Sequence, residues 1–155
     1  LGLAEPEKDF SKGCLSARNT WRVITYRVHI RKEIRQTCID GKNWDEPEFL
    51  PLFNAAESMG AVLFYHPNPR HNILEPRNTR LNLPNAVGVP MEDAIITATL
   101  ICSGILDKCP DLKVCIAHGG GPACYLMGRI DRGWRGNTAE QYMPNPPSSY
   151  QKKLY

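Results

Sequence analysis

The sequence predicts an α/β protein whose parallel sheet is joined by helical crossovers. Three observations lead there. From residue 45 onward, helical and strand patterns alternate as helix, strand, helix, strand, helix. The two strand-like runs, "AVLFY" and "LKVCIA", are continuously apolar, as strands covered on both faces are. Each of those runs leads into a histidine, His66 or His118.

The bulk composition narrows the classes. The chain has 155 residues, enough for one domain with a real core. Hydrophobic residues make up 42% and charged residues 23%, ordinary values for a globular protein. A net charge of +3 is too small to argue for a nucleic-acid or anionic-membrane partner. No uninterrupted apolar run approaches the roughly 18 residues of a membrane helix. No charged-then-apolar start reads as a secretory signal. The six cysteines, at 14, 38, 102, 109, 115 and 124, form no C-x-x-C pair. Several lie in apolar runs, where a thiol behaves as a small hydrophobe. A reducing compartment, the cytoplasm, is the expectation. The sequence starts at Leu1 rather than Met, and a fragment is expected.

The elements follow in order. Residues 1–38 hold eight Lys/Arg against four Asp/Glu. Within them "WRVITYRVHI" alternates, with Ile24, Tyr26, Val28 and Ile30 on one face, which predicts one half-buried strand. Its cations read as a solvated face in preference to a nucleic-acid arm over residues 18–35. "DEPEFLPLFNAAESMG" predicts a helix opened by an Asp45–Glu48 capping pair and closed at Gly60. Phe49, Leu52, Phe53, Ala56 and Met59 recur at helical spacing, and Pro51 is expected to delay or kink the start. The strand into His66 and Pro67 comes next. Five prolines between 67 and 90 then predict a long irregular loop. "MEDAIITATLICSGILDKC" predicts one long helix, with Ala94, Ala98, Ile101 and Ile105 on a face and Cys109-Pro110 as its end. After the strand into His118 and three glycines, Ala123, Leu126, Met127, Ile130 and Trp134 mark a final amphipathic helix. The tail "MPNPPSSYQKKLY" is proline-rich and shows no clear element.

His66 and His118 therefore occupy equivalent places at the carboxyl ends of successive buried strands. Neighbouring strands lie about 4.8 Å apart, so two such imidazoles can reach one site. In α/β sheets and barrels, ligands bind at that end. A strand holds its histidine rigidly, and the glycines let the backbone leave without covering it. One histidine so placed is more often a packing residue; a matched pair favours function. His71 reads as exposed, and His29 receives no role. HGGG also serves as an oxyanion-hole motif in esterases, but the G-x-S-x-G elbow that chemistry needs is missing, and Ser103 in "ICSGI" lacks the first glycine. "GGGPAC" does not have dinucleotide-binding spacing.

Three segments, "DGKNWDEPEFLPLFNAAESMGAVLFYHP", "LKVCIAHGGGPACYLMGRIDRGW" and "PPSSYQKKLY", resemble the amidohydrolase-related superfamily. The branch is that of aminocarboxymuconate-semialdehyde decarboxylase and the resorcylate-type decarboxylases. The resemblance covers residues 39–155 and leaves residues 1–38 as an unmatched basic segment. It implies part of a (β/α)8 barrel of the metal-dependent hydrolase type, about strands 5 and 6 with their helices. It implies a divalent metal, zinc or sometimes manganese, with His66 as a ligand. His118 would activate water or relay protons. Arg129 would hold a substrate carboxylate across a homodimer contact, whereas position alone makes it a solvated helix residue. The implied reaction is decarboxylation or hydrolysis of small aromatic or unsaturated carboxylic acids. The family's H-x-H metal pair is absent, and its metal-binding aspartate falls beyond Tyr155. Little catalysis by this chain alone is therefore expected. A non-catalytic relative, acting as an interaction or regulatory module through the Arg129 helix, is the alternative. No nucleic-acid or membrane partner is expected.

Overall fold

The computed structural model describes residues 23–26, 29–34, 38–39, 42–67, 74, 80–136 and 142–154. The N-terminal alternating stretch is two strands, not one. β1 (Val23–Tyr26) turns back into β2 (His29–Ile34), with Tyr26 paired to His29 in antiparallel register. The polar-apolar alternation runs unbroken from Ile24 to Ile30, so the pattern could not show that two strands are present. A small ribbon, β3 (Cys38–Ile39) and β4 (Lys42–Asn43), leads to α1 (Leu50–Ser58).

One 3-10 turn, Pro47–Phe49, precedes α1, and Pro51 sits in the first turn of the helix, so the helix starts late as expected. The expected Asp45–Glu48 cap does not form. Glu48 is instead 2.7 Å from the Lys42 ammonium, which competes for the same carboxylate. At the other end Gly60, at φ 60°, closes the helix as expected.

β5 (Val62–Tyr65) then runs parallel to β2, with Ile34 opposite Tyr65. A helix follows, opening with a π-helical stretch, Pro84–Gly88, and continuing as α2 (Val89–Cys102). The single long helix expected here is broken: Gly104 takes φ 73°, and α3 (Ile105–Lys108) follows as a separate turn. β6 (Lys113–Ile116) pairs with β5 in parallel, and the sheet order is β1-β2-β5-β6. α4 (Ala123–Arg135) is amphipathic as expected, with Ala123 and Met127 buried and Ile130 and Trp134 packed against the core. The tail forms a 3-10 helix, Pro147–Lys153, where no element was expected. Leu154 then bridges Val114 in parallel, placing the chain beside β6.

The core gathers between the sheet and its crossover helices. Trp44 is its largest member, with ring centroids 5.0 Å from Phe49, 6.5 Å from Phe53 and 5.5 Å from Tyr65. α2 packs on α4, on the turn after β6 and on the tail helix. It is buried on more than the one face read from periodicity, and Ile96, Thr97 and Leu100 join Ala94 and Ile101 inside. By length and composition Pro84–Cys102 would also suit a membrane span. The carboxylates of Glu92 and Asp93 interrupt its apolar run, and both are buried with it.

Candidate active site

The parallel register of β5 and β6 sets Tyr65 opposite Ile116, so the two chains leave the sheet side by side. His66 is the first residue past β5, and His118 the second past β6. Their ring centroids are 5.1 Å apart, with the planes inclined at 56°. The structure thus brings together the two histidines singled out from sequence.

Each ring is held by one nitrogen. His66 Nδ1 donates to the Pro67 carbonyl at 3.1 Å. A carbonyl can only accept, so the neutral ring carries its lone pair on Nε2. His118 Nδ1 lies 2.8 Å from Asp93 Oδ2. The His118 side chain is 42% exposed, whereas that of Asp93 is fully buried. Burial pushes the Asp93 carboxyl up from its ordinary value, and the hydrogen bond and charge of His118 pull it part of the way back. The second Asp93 oxygen, Oδ1, has no hydrogen-bond partner among the described residues.

The turn that carries His118 is built from left-handed backbone. His118, Gly119, Gly120 and Gly121 have φ of 50°, 64°, 76° and 54°. Three glycines take this conformation freely, and histidine is among the few other residues found there.

Asp93 was not singled out from sequence. The available signal was periodic: it shares a helical face with Ile96, Thr97 and Leu100, so a carboxylate was being placed inside. Arg129 is not brought to the histidines. It is exposed on α4 and lines a surface depression with Arg132, Gly133 and Gly136. His71 and the His29 side chain lie outside the described residues.

A catalytic zinc takes three protein ligands. Among the described residues, no group of three His, Cys, Asp or Glu is placed to hold a metal ion. His66 Nε2 fits one ligand position, because its Nδ1 already donates to a carbonyl, the usual way a metal-binding imidazole is oriented. The described residues do not complete the set.

The parallel strands β2, β5 and β6, joined by helical crossovers and with histidines at the carboxyl ends of β5 and β6, fit a segment of a (β/α)8 barrel. Residues 34–146 match the Amidohydrolase family, and the chain belongs to it. Among curated proteins it resembles 2-amino-3-carboxymuconate-6-semialdehyde decarboxylase of Dictyostelium discoideum, 34% identical over 76% of this chain and 33% of that one. Among solved structures it resembles IDCase of Metarhizium anisopliae, at 27% identity and a TM-score of 0.58, over 73% of this chain and 30% of that chain. A dihydroxybenzoic acid decarboxylase from Polaromonas, solved with bound manganese and 2-nitroresorcinol, shares the fold at 21% identity and a TM-score of 0.60. That likeness covers 74% of this chain and 36% of the other. The chain spans about a quarter to a third of the length of the curated relatives it matches. The family match begins at Ile34, the last residue of β2, and β2 pairs in the same sheet as β5.

Proposed function

We propose that this chain is the histidine-bearing segment of a metal-dependent decarboxylase acting on small aromatic or unsaturated carboxylic acids. The observation that carries the reading is the 5.1 Å approach of the His66 and His118 rings at adjacent strand ends. Decarboxylase relatives support it. Hydrolysis on the same scaffold is the neighbouring chemistry, since fold alone does not choose the reaction.

In this reading His66 Nε2 is a metal ligand, with zinc favoured over manganese because neutral imidazole suits it. A divalent ion, when bound, would polarise a substrate oxygen or a water molecule. His118 manages the proton. As the carbon–carboxylate bond breaks, its electron pair stays on the substrate carbon, and His118 Nε2, having first taken up a proton from solvent on its lone pair, delivers the proton that replaces carbon dioxide. Arg129 grips a substrate carboxylate through two parallel hydrogen bonds, across the contact of a homodimer. The cytoplasm is the proposed compartment, from the cysteine pattern.

The test measures carbon dioxide release and bound metal in the protein that carries this segment. His118→Gln is expected to keep its metal and lose about 10²- to 10⁴-fold in rate. His66→Ala is expected to lose the metal as well. An undiminished rate in His118→Gln would overturn the reading. The 155-residue chain alone is expected to show little turnover, because its described residues complete no metal site. One observation favours the interaction-module alternative: Tyr125 on α4 is 89% exposed beside Arg129. Binding of this chain to a full-length relative, with no turnover in either metal, would support it.

A further inference from the structure

We propose that Asp93 is a positioning residue for His118, fixing the imidazole as its Nδ1–H tautomer with the Nε2 lone pair turned toward the site. This extends the decarboxylase reading but rests on geometry that stands apart from it.

Three features converge on the pair. The His118 Nδ1 to Asp93 Oδ2 separation of 2.8 Å is that of a charge-assisted hydrogen bond. Asp93 is fully buried, so no water competes for its oxygen. His118 takes the left-handed backbone, φ 50°, in the turn from which its ring reaches Asp93. The glycine turn is pressed onto α2 at the same place. A Cβ on Gly120 would stand 3.5 Å from Thr97 Oγ1, and that hydroxyl donates to the Asp93 carbonyl at 2.7 Å. The Asp93 backbone is therefore held within its own helix, and the turn that carries the histidine is docked against that helix.

A carboxylate accepts hydrogen bonds only, so it selects the Nδ1–H form of the neutral ring. Nε2, the other ring nitrogen, then carries the lone pair, on a side chain that is 42% exposed. A buried carboxylate behind an imidazole sets tautomer and orientation without itself reacting. The alternative arrangement is a protonated Asp93 that donates to Nδ1, which would leave the proton of the ring on Nε2. The two arrangements give opposite tautomers.

The experiment is ¹⁵N NMR of the histidine-labelled 155-residue chain without metal, with the His118 signals assigned by comparison with His118→Gln. The expected result is an Nδ1–H tautomer in the unsubstituted chain and a shift toward Nε2–H in Asp93→Leu, which offers Nδ1–H no acceptor. A dominant Nε2–H tautomer in the unsubstituted chain, or an Nδ1–H tautomer that survives undiminished in Asp93→Leu, overturns the proposal. Should Asp93→Leu fail to fold, the unsubstituted chain alone decides. Absence of carbon dioxide release or of metal at His66 would defeat the decarboxylase reading and leave this measurement untouched.

Discussion

A Cβ on Gly121 would lie 2.1 Å from the carbonyl oxygen of Pro90, so the turn after β6 and the first turn of α2 meet backbone to backbone. Gly121→Ala must push these segments apart and also place alanine at φ 54°. A loss of about 2–4 kcal/mol is expected. Gly119→Ala meets nothing within 4 Å and should cost only the left-handed backbone, about 1–2 kcal/mol. Urea midpoints of the two variants check the difference. Equal losses would mean that the close approach does not matter.

Stability should fall in alkali. Burial pushes the Tyr65 phenol well above its ordinary value, and burial together with the hydrogen bond to Asp107 raises that of Tyr150. In the unfolded chain both ionise near pH 10. Above that pH the unfolded state has released protons that the folded state still holds, so unfolding becomes easier as pH rises. The slope is at most about 1.4 kcal/mol per pH unit for each tyrosine. Tyr65→Phe removes a hydroxyl that has no partner among the described residues. It should leave stability near pH 8 little changed and flatten the fall above pH 10, as read by urea titrations across that range.

Thiol reactivity should follow exposure. Cys124 is exposed on α4. Cys109 is buried, with its sulfur 3.2 Å from Asn54 Oδ1, and burial and then Glu57 push its pKa up. Only the thiolate reacts readily, so a maleimide at neutral pH should label Cys124 well before Cys109, which should react only on unfolding. Timed peptide mapping checks the order, and early labelling of Cys109 would contradict the packing of α1 on the segment after α3.

The aromatic cluster should dominate the stability of this end of the fold. Trp44 is 1% exposed and touches three other rings. Trp44→Ala is expected to cost about 3–5 kcal/mol, measurable by thermal or urea unfolding. A loss below 1 kcal/mol would show that the cluster reorganises around the gap.

What the sequence made legible was local. The runs into His66 and His118 are short, apolar and bounded by Pro or Gly, so their strand character needed no tertiary information, and a helix between them implied a parallel sheet while leaving open whether they were neighbours. α4 was readable for the same reason, from the spacing of Ala123, Met127, Ile130 and Trp134. The failures involve contacts distant in sequence. Gly104 breaks the long helix where a Cβ would lie 2.1 Å from the Tyr142 carbonyl oxygen, a neighbour 38 residues on. The Asp45–Glu48 cap gave way to Lys42. Asp93 looked like one more helical carboxylate until the turn after β6 set His118 against it.

The run of left-handed residues from His118 to Gly121 has a practical corollary for protein engineering. Such a tetrapeptide takes most side chains only at a cost in stability, least at Gly119 and greatest at Gly121, so randomised libraries spent on it would return many destabilised clones.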